Sequence, residues 1–340
     1  MSSGFGKFLK EYLEFNNISQ TEFATRLNIT QKHMNEILNG KSDITLEMAA
    51  SIEKITSIPI SFIINSENRK YITNYLYSIY ETEEKLEDML KSQFPFKELE
   101  KREWVNFQDI TNPVQNYMDI IKFLKVRNLE ALDKIQEKTL FKKNGDDFNK
   151  LSLWISRCDE LVQEQVVNEY VKENFYFLIQ DLLIEAYKEN FEISNIQEIL
   201  NNYGIYFIVE KALSGTKVRG CFKVKGKHPA IYNTKNYSSK DSFYYELFHE
   251  LGHCKSDYNV AQNKVIVDGS EEQEKRADKF ALNTMINEKI WKQIEQDYSE
   301  EKILNLSKEN KIPMSFIVGR LAKVGHIKYN SSLYNKYKLV

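Results

Sequence analysis

The sequence predicts a mainly α-helical protein with one small β-sheet, an α+β chain. A helix-turn-helix bundle comes first, a helical connector follows, and a mixed α/β domain ends the chain. Three observations predict this. Only 12 glycines and 5 prolines stand among 340 residues, so few positions break helices. Apolar residues recur at helical spacing from Phe5 onward, except between Tyr203 and Asn233, where short β-rich runs replace them. The chain is also too long for one ordinary core, and its changes of texture divide it into residues 1–66, 67–189 and 190–340.

Composition narrows the function classes. The chain is 42% apolar and 28% charged, as a soluble globular protein is, and its 20 Tyr and 20 Phe favour aromatic cores over low-complexity sequence. With 47 Lys plus Arg against 49 Asp plus Glu the net charge is −2, which excludes a wholly basic nucleic-acid coat. Cys158, Cys221 and Cys254 lie far apart with no CxxC pair, so neither a disulfide framework nor a thiolate zinc site is available, and a reducing cytoplasm suits them. The start, Met1 to Lys7, leads into a charged amphipathic segment, and no stretch nears the roughly 20 apolar residues that span a bilayer. Neither secretion nor a membrane partner is expected.

Residues 5 to about 64 read as short helices with clear punctuation. Ser19 with Glu22 forms a capping box, Phe23 and Leu27 share one face, and Asn28 ends the helix. Thr30 caps a second helix through Leu38, with Met34, Ile37 and Leu38 facing inward and Asn39-Gly40 as the left-handed stop. Two short helices joined by so tight a turn make a helix-turn-helix. From about Ser66 to Leu200 the pattern is helical, divided by Asn112-Pro113 and by Lys143 to Asp146 into two or three pieces, with no catalytic grouping. The stripe of Met118, Ile121, Phe123, Leu124, Leu151, Leu153 and Trp154 reads as core. Gly204 to Val209, Arg219 to Val224 and Pro229 to Asn233 then read as a small sheet. Helices resume at Ser239 and run to about Gly325, followed by fifteen residues that read as an irregular tail.

The chemistry concentrates in His249-Glu250-Leu251-Gly252-His253, an HExxH pattern within the helix from Ser239. At 100° per residue the two histidines differ by about 40° around the axis and one turn along it, so both imidazoles can reach one cation. Glu250 lies about 100° from His249, beside the ligand face, while Tyr244, Leu247, Phe248 and Leu251 fall on the far side. With five histidines in the chain, the chance expectation of one such pattern is on the order of 0.01.

Catalytic zinc takes three protein ligands and leaves a fourth position for water, so a third ligand is expected elsewhere. The segment Glu271 to Ala281 offers it. Glu274, Ala277, Asp278, Ala281 and Met285 share one helical stripe, and the two alanines permit a close approach to the HExxH helix. Glu274 then reaches the metal and Asp278 accepts a ligand N–H, with Glu271 and Glu272 as rival ligands. An all-N/O set of this kind suits Zn²⁺ and hydrolysis better than a closed structural site. Zinc polarises a carbonyl and lowers the pKa of a water towards about 7, and Glu250 acts as the catalytic base that takes its proton and returns it to the leaving amine. His228, before Pro229, reads as a surface histidine, and Cys254 as packing. The oxyanion role stays open, with His326 and Arg320 as candidates that nothing in their spacing compels.

At these residues the sequence resembles the ImmA/IrrE family of metallopeptidases. Phe248 to His253 is similar to its F/A-HELGH core, Glu274 to Ala281 to its ExEANxFA segment, and Ile312 to Leu321 to its closing helix. The likeness covers roughly residues 190–339 and departs from the family at Arg276, where a second Glu is frequent. It implies a zincin-like fold, Glu274 as third ligand, and cleavage of a helix-turn-helix repressor as the activity. The head separately resembles Xre-type and HigA-like antitoxin helix-turn-helix domains in Ile18 to Ala24 and Ile37 to Lys41. The Trp154-bearing middle looks like the connecting region of fusions between the two.

If the head binds duplex DNA, the helix from Thr30 presents Gln31, Lys32, His33 and Asn35 to base edges and phosphates. Residues 1–65 carry six basic against seven acidic side chains, a net −1, so the electrostatic footprint is weak and a homodimer is needed for useful affinity. The alternative is docking of the head onto the similar head of a partner repressor. The whole reads as a cytoplasmic, transcription-regulating zinc endopeptidase that cleaves a repressor-like protein. Its rival is a non-catalytic antitoxin or transcription factor whose zincin-like domain senses a metal or small ligand. Only the enzyme needs Glu250.

Overall fold

The structure is a computed structural model that describes residues 4–139, 148–235 and 239–338. The expected break from Lys143 to Asp146 lies outside the described residues. The fold is mainly α with one three-stranded sheet, as the sequence predicts. The chain separates into two compact units, residues 1–120 and 121–340, rather than three segments.

The first unit opens with α1 (Gly4–Phe15), α2 (Gln20–Arg26), α3 (Gln31–Leu38), α4 (Leu46–Thr56) and α5 (Ile60–Tyr80). Local chemistry sets these bounds. Ser19 Oγ accepts the Glu22 N–H at 3.1 Å to start α2, and Asn28 leaves it at φ 55°. Thr30 Oγ1 accepts the His33 N–H at 3.1 Å to start α3, and Gly40 turns left-handed at φ 67° after Asn39. Phe5, Leu9, Phe23, Met34, Ile37, Ala49, Ile52 and Ile63 are buried together beneath these helices. A methyl group on Gly6 would lie 2.2 Å from the Ile37 carbonyl, so only glycine lets α1 cross α3 this closely. The unit continues through α6 (Glu83–Gln93) and α7 (Phe96–Lys101) into α8 (Pro113–Leu124).

The predicted division at 66 therefore falls inside α5, because α5 gives Ile63 to the head's core and continues well beyond it. The middle is also cut more often than the sequence reading allowed. Glu81 at φ 67° stops α5, Phe94-Pro95 stops α6, and residues 102–112 are not regular helix.

In the second unit, α9 (Leu129–Lys138), α10 (Phe148–Leu161), α11 (Phe175–Tyr187) and α12 (Ile193–Asn202) precede β1 (Tyr206–Val209), β2 (Gly220–Lys225) and β3 (His228–Asn233). The strand order is β1-β3-β2, with β3 parallel to β1 and antiparallel to β2. Pro229 sits in the central strand one residue ahead of the β1 ladder, which begins at Ala230, where a missing N–H costs least. Helices α10 and α11, expected in a separate connector, belong here. Trp154 Nε1 donates to the Glu210 carbonyl at 2.9 Å, Asp159 accepts from Lys223 Nζ and Tyr232 Oη, and Leu178, Leu182 and Ala186 join the core. Their apolar stripes have the sheet layer to cover, so they bury against it.

The unit ends with α13 (Lys240–Ala261), α14 (Glu271–Met285), α15 (Glu288–Gln296), α16 (Glu300–Asn310), α17 (Met314–Lys323) and α18 (Ser332–Tyr337). The irregular tail is thus corrected. Ser331 Oγ caps α18 through the Tyr334 N–H at 3.2 Å, and Tyr334 packs into the core. The centre of the unit is α13, whose Phe243, Tyr244, Leu247, Phe248 and Leu251 are fully buried.

Candidate metal centre

The HExxH residues lie mid-way along α13, and α14 runs against them. Contact is closest where Gly252 meets Ala277: a methyl group on Gly252 would stand 2.9 Å from Ala277 Cα. Ala277 and Ala281 are both buried, so the small-residue stripe of α14 packs on α13 and carries its acids to the imidazoles. Ser270 and Gln273 form a reciprocal capping box that fixes where α14 begins and thus the phase of Glu274.

The result is one tight group. His249 Nε2 lies 3.2 Å from His253 Nε2 and 3.2 Å from Glu274 Oε2, and His253 Nε2 lies 3.4 Å from Glu274 Oε1. These three residues are the group among the described residues whose ligand atoms converge as a metal site requires. Glu271 points elsewhere, to Lys275, and Glu272 is exposed. Both rival carboxylates are therefore outside the group. His228 is half-buried at the start of β3, its Nδ1 3.0 Å from the Gly204 carbonyl, and also lies outside it. Cys254 is fully buried beside Tyr170 Oη, a packing position.

The outer nitrogens are held by carboxylates. His249 Nδ1 is 3.0 Å from Asp278 Oδ1, and His253 Nδ1 is 2.9 Å from Asp257 Oδ2. A carboxylate accepts, so each Nδ1 donates to its partner, and a ring that carries no second proton presents its Nε2 lone pair to the centre. The two Nε2 atoms and the Glu274 carboxylate then face one another at 3.2–3.4 Å, a gap that a proton or a metal ion fills. Such an arrangement demands positive charge. Two donors each 2.0–2.1 Å from zinc at a tetrahedral angle stand about 3.3 Å apart, which is the spacing seen here, so the residues fit Zn²⁺.

Charge balance points the same way. Burial opposes protonation of His249, but hydrogen bonds to Asp278 and Glu274 outweigh it and raise the ring to about 10. Burial also opposes charge on Glu274, yet its contacts with His249 and His253 hold it well below the usual carboxylate range. The His249 contact likewise holds Asp278 low. In physical terms the acids hold a positive charge at this point, and a proton and a metal ion compete for it.

Glu250 is 4% exposed, and its Oε2 has no hydrogen-bond partner among the described residues. Burial is the largest influence on it and pushes its carboxyl up to about 7, against the pull of His249 and His253. Gly220 on β2 makes the room, since a methyl group there would stand 2.4 Å from Glu250 Oε1. Together with His249, Glu274, Asp278 and Tyr245, Glu250 lines a cavity of 360 Å³.

Two members of the surroundings escaped the sequence reading. Asp257 is 4% exposed and also accepts from Gln273 Nε2 at 3.0 Å and Arg276 Nη2 at 2.9 Å. Its i+4 spacing from His253 was a readable signal. It also explains Arg276, which supplies the cation facing that buried carboxylate. Tyr245 donates to Asp278 Oδ1 at 2.5 Å, four residues before His249 on the same face. Of the oxyanion candidates, Arg320 is bound to the Leu282 and Ile286 carbonyls and covers the Trp291 ring, while His326 stacks on Tyr298.

In the first unit, Gln31, Lys32 and Asn35 are exposed on α3 and His33 is half-buried near Glu36. Asn35 is partly engaged, since its Oδ1 accepts from Asn39 Nδ2 at 2.8 Å. Residues 9–63 match the helix-turn-helix family HTH_3. The N-terminal head is therefore a helix-turn-helix of the DNA-binding, transcription-regulating kind. No curated protein and no solved structure is similar to the chain at a significant level. No helix among the described residues is long and apolar enough to cross a membrane.

Proposed function

We propose that the second unit is a zinc-dependent endopeptidase that cleaves a repressor-like helix-turn-helix protein, and that the head brings it to duplex DNA. The resemblance to the ImmA/IrrE family supports the substrate class. The observation that carries the chemistry is the pairing of two features: three ligand atoms at tetrahedral spacing, and a buried Glu250 oxygen left without a partner beside them. A structural metal site needs the first and has no use for the second.

His249, His253 and Glu274 would hold the ion, with Asp278 and Asp257 fixing the two rings. When bound, zinc would polarise the scissile carbonyl and acidify a water. Glu250, with a carboxyl near 7, takes the proton of the attacking water and delivers it to the leaving amine. The absence of a competing donor at its Oε2 leaves Glu250 free to make that transfer. On α3, Gln31, Lys32, His33 and Asn35 are the residues for DNA, read by a homodimer. Cys158, Cys221 and Cys254 are free and buried, in keeping with a cytoplasmic setting.

The test is Glu250→Gln. The variant should keep its zinc and lose cleavage of a co-expressed repressor by at least about 100-fold, the usual contribution of a general base. Equal processing by both proteins, or by neither, would leave the metal-sensing regulator as the better account.

A further inference from the structure

A second cavity, of 320 Å³, adjoins the metal cavity, and Arg219, Tyr245, Glu246 and Lys323 line both. Leu282, Met285, Ile286 and Phe316 give the second cavity apolar walls. A peptide with its scissile carbonyl beside Glu250 and a neighbouring side chain in that apolar space would pass over the shared residues. Two of them are cations. Arg219 is 74% exposed and paired with Glu246 at 3.1 Å. Lys323 differs: its Nζ stands 3.7 Å from the centroid of the Tyr245 ring, and no hydrogen bond or ion pair among the described residues engages it. The ring beneath it is fixed, because Tyr245 donates to the Asp278 carboxylate that also holds His249. Burial lowers the Lys323 ammonium from the usual lysine value, against the pull of Asp278 and Glu246.

We propose that Lys323 is the electrophilic residue of this site, donating a hydrogen bond from Nζ to the scissile carbonyl oxygen as that oxygen becomes negative. This rests on the peptidase reading above and fills the role that Arg320 and His326 are too engaged to take. The step balances without an added reagent. Attack by water forms the C–O bond and moves the C=O pair onto oxygen, and Glu250 receives the water's proton. The pair then re-forms C=O, the C–N bond breaks, and Glu250 protonates the departing nitrogen. Lys323 keeps its own protons throughout and stabilises only the charged oxygen.

Full-length protein loaded with Co²⁺ gives a visible spectrum that reports the ligands, and inorganic phosphate serves as a small tetrahedral oxyanion. Wild type should bind phosphate with a change in that spectrum. Lys323→Gln should keep the phosphate-free spectrum and bind phosphate about tenfold more weakly, the loss expected for one charge-assisted hydrogen bond. Lys323→Arg should restore most of the affinity. Equal phosphate affinity in wild type and Lys323→Gln, or a wild type whose Co²⁺ spectrum ignores phosphate, would overturn the role of Lys323 and leave the metal site standing. Failure of the wild type to hold Co²⁺ through His249 and His253 would remove both.

Discussion

At the scale of single residues, the proposed metal site depends on carboxylates outside its three ligand residues. Asp278 and Asp257 each fix one imidazole through Nδ1, and Asp257 is itself held by Gln273 and Arg276. Replacing Asp257 with Ala should lower zinc affinity by about 10- to 100-fold, because the His253 ring loses both its orientation and the partner that makes it more basic. Competition with a chromophoric chelator measures this directly, and an unchanged affinity would show that Asp257 serves only the packing of α13. Asp278 was legible because it shares the stripe of Glu274, and Glu250 because it lies within HExxH. The choice of Glu274 over Glu271 and Glu272 came from the family resemblance and not from helical phase. Helical phase allows several starts for α14, and the Ser270–Gln273 capping box that selects one is a local signal that passed unread.

Elements explain why the acids arrive. The seam between α13 and α14 works only with small side chains, since Gly252 faces Ala277 at a distance no Cβ tolerates. Ala277→Leu should therefore push α14 away, cost about 1–3 kcal/mol of stability by overpacking and leave the purified protein with little zinc. Metal analysis beside thermal unfolding checks it: full zinc occupancy in a stable Ala277→Leu protein would refute the seam argument. The two helices of the helix-turn-helix were legible to within a residue or two, because Ser19, Thr30, Asn28 and Gly40 are local signals that act through their own neighbours. The same kind of signal sat at Ser331 before the short helix α18 and passed unread, since six residues carry too little periodicity to stand out from a tail.

Across the whole molecule, the helix-turn-helix lies in residues 1–120 and the acidic histidine cluster in residues 121–340. Metal removal should act on the second alone. If free zinc stands about 100-fold above its dissociation constant, chelation withdraws about 2.7 kcal/mol from residues 121–340. Their unfolding should move to lower temperature while that of residues 1–120 stays in place. Calorimetry with and without chelator tests this, and equal displacement of both transitions would argue against a site confined to one unit.

By itself the sequence determined the helix-turn-helix, the presence and place of the small sheet, and the pairing of His249 with His253. Each rests on residues within a few positions of one another, where backbone geometry alone fixes who is neighbour to whom. Only the tertiary structure decided that Glu274 reaches those rings, that Asp257 backs one of them, and that Lys323 lies over Tyr245 at the junction of two cavities. Those contacts join segments of chain far apart in number, and their positions follow from how buried surfaces fit together, which no local period encodes.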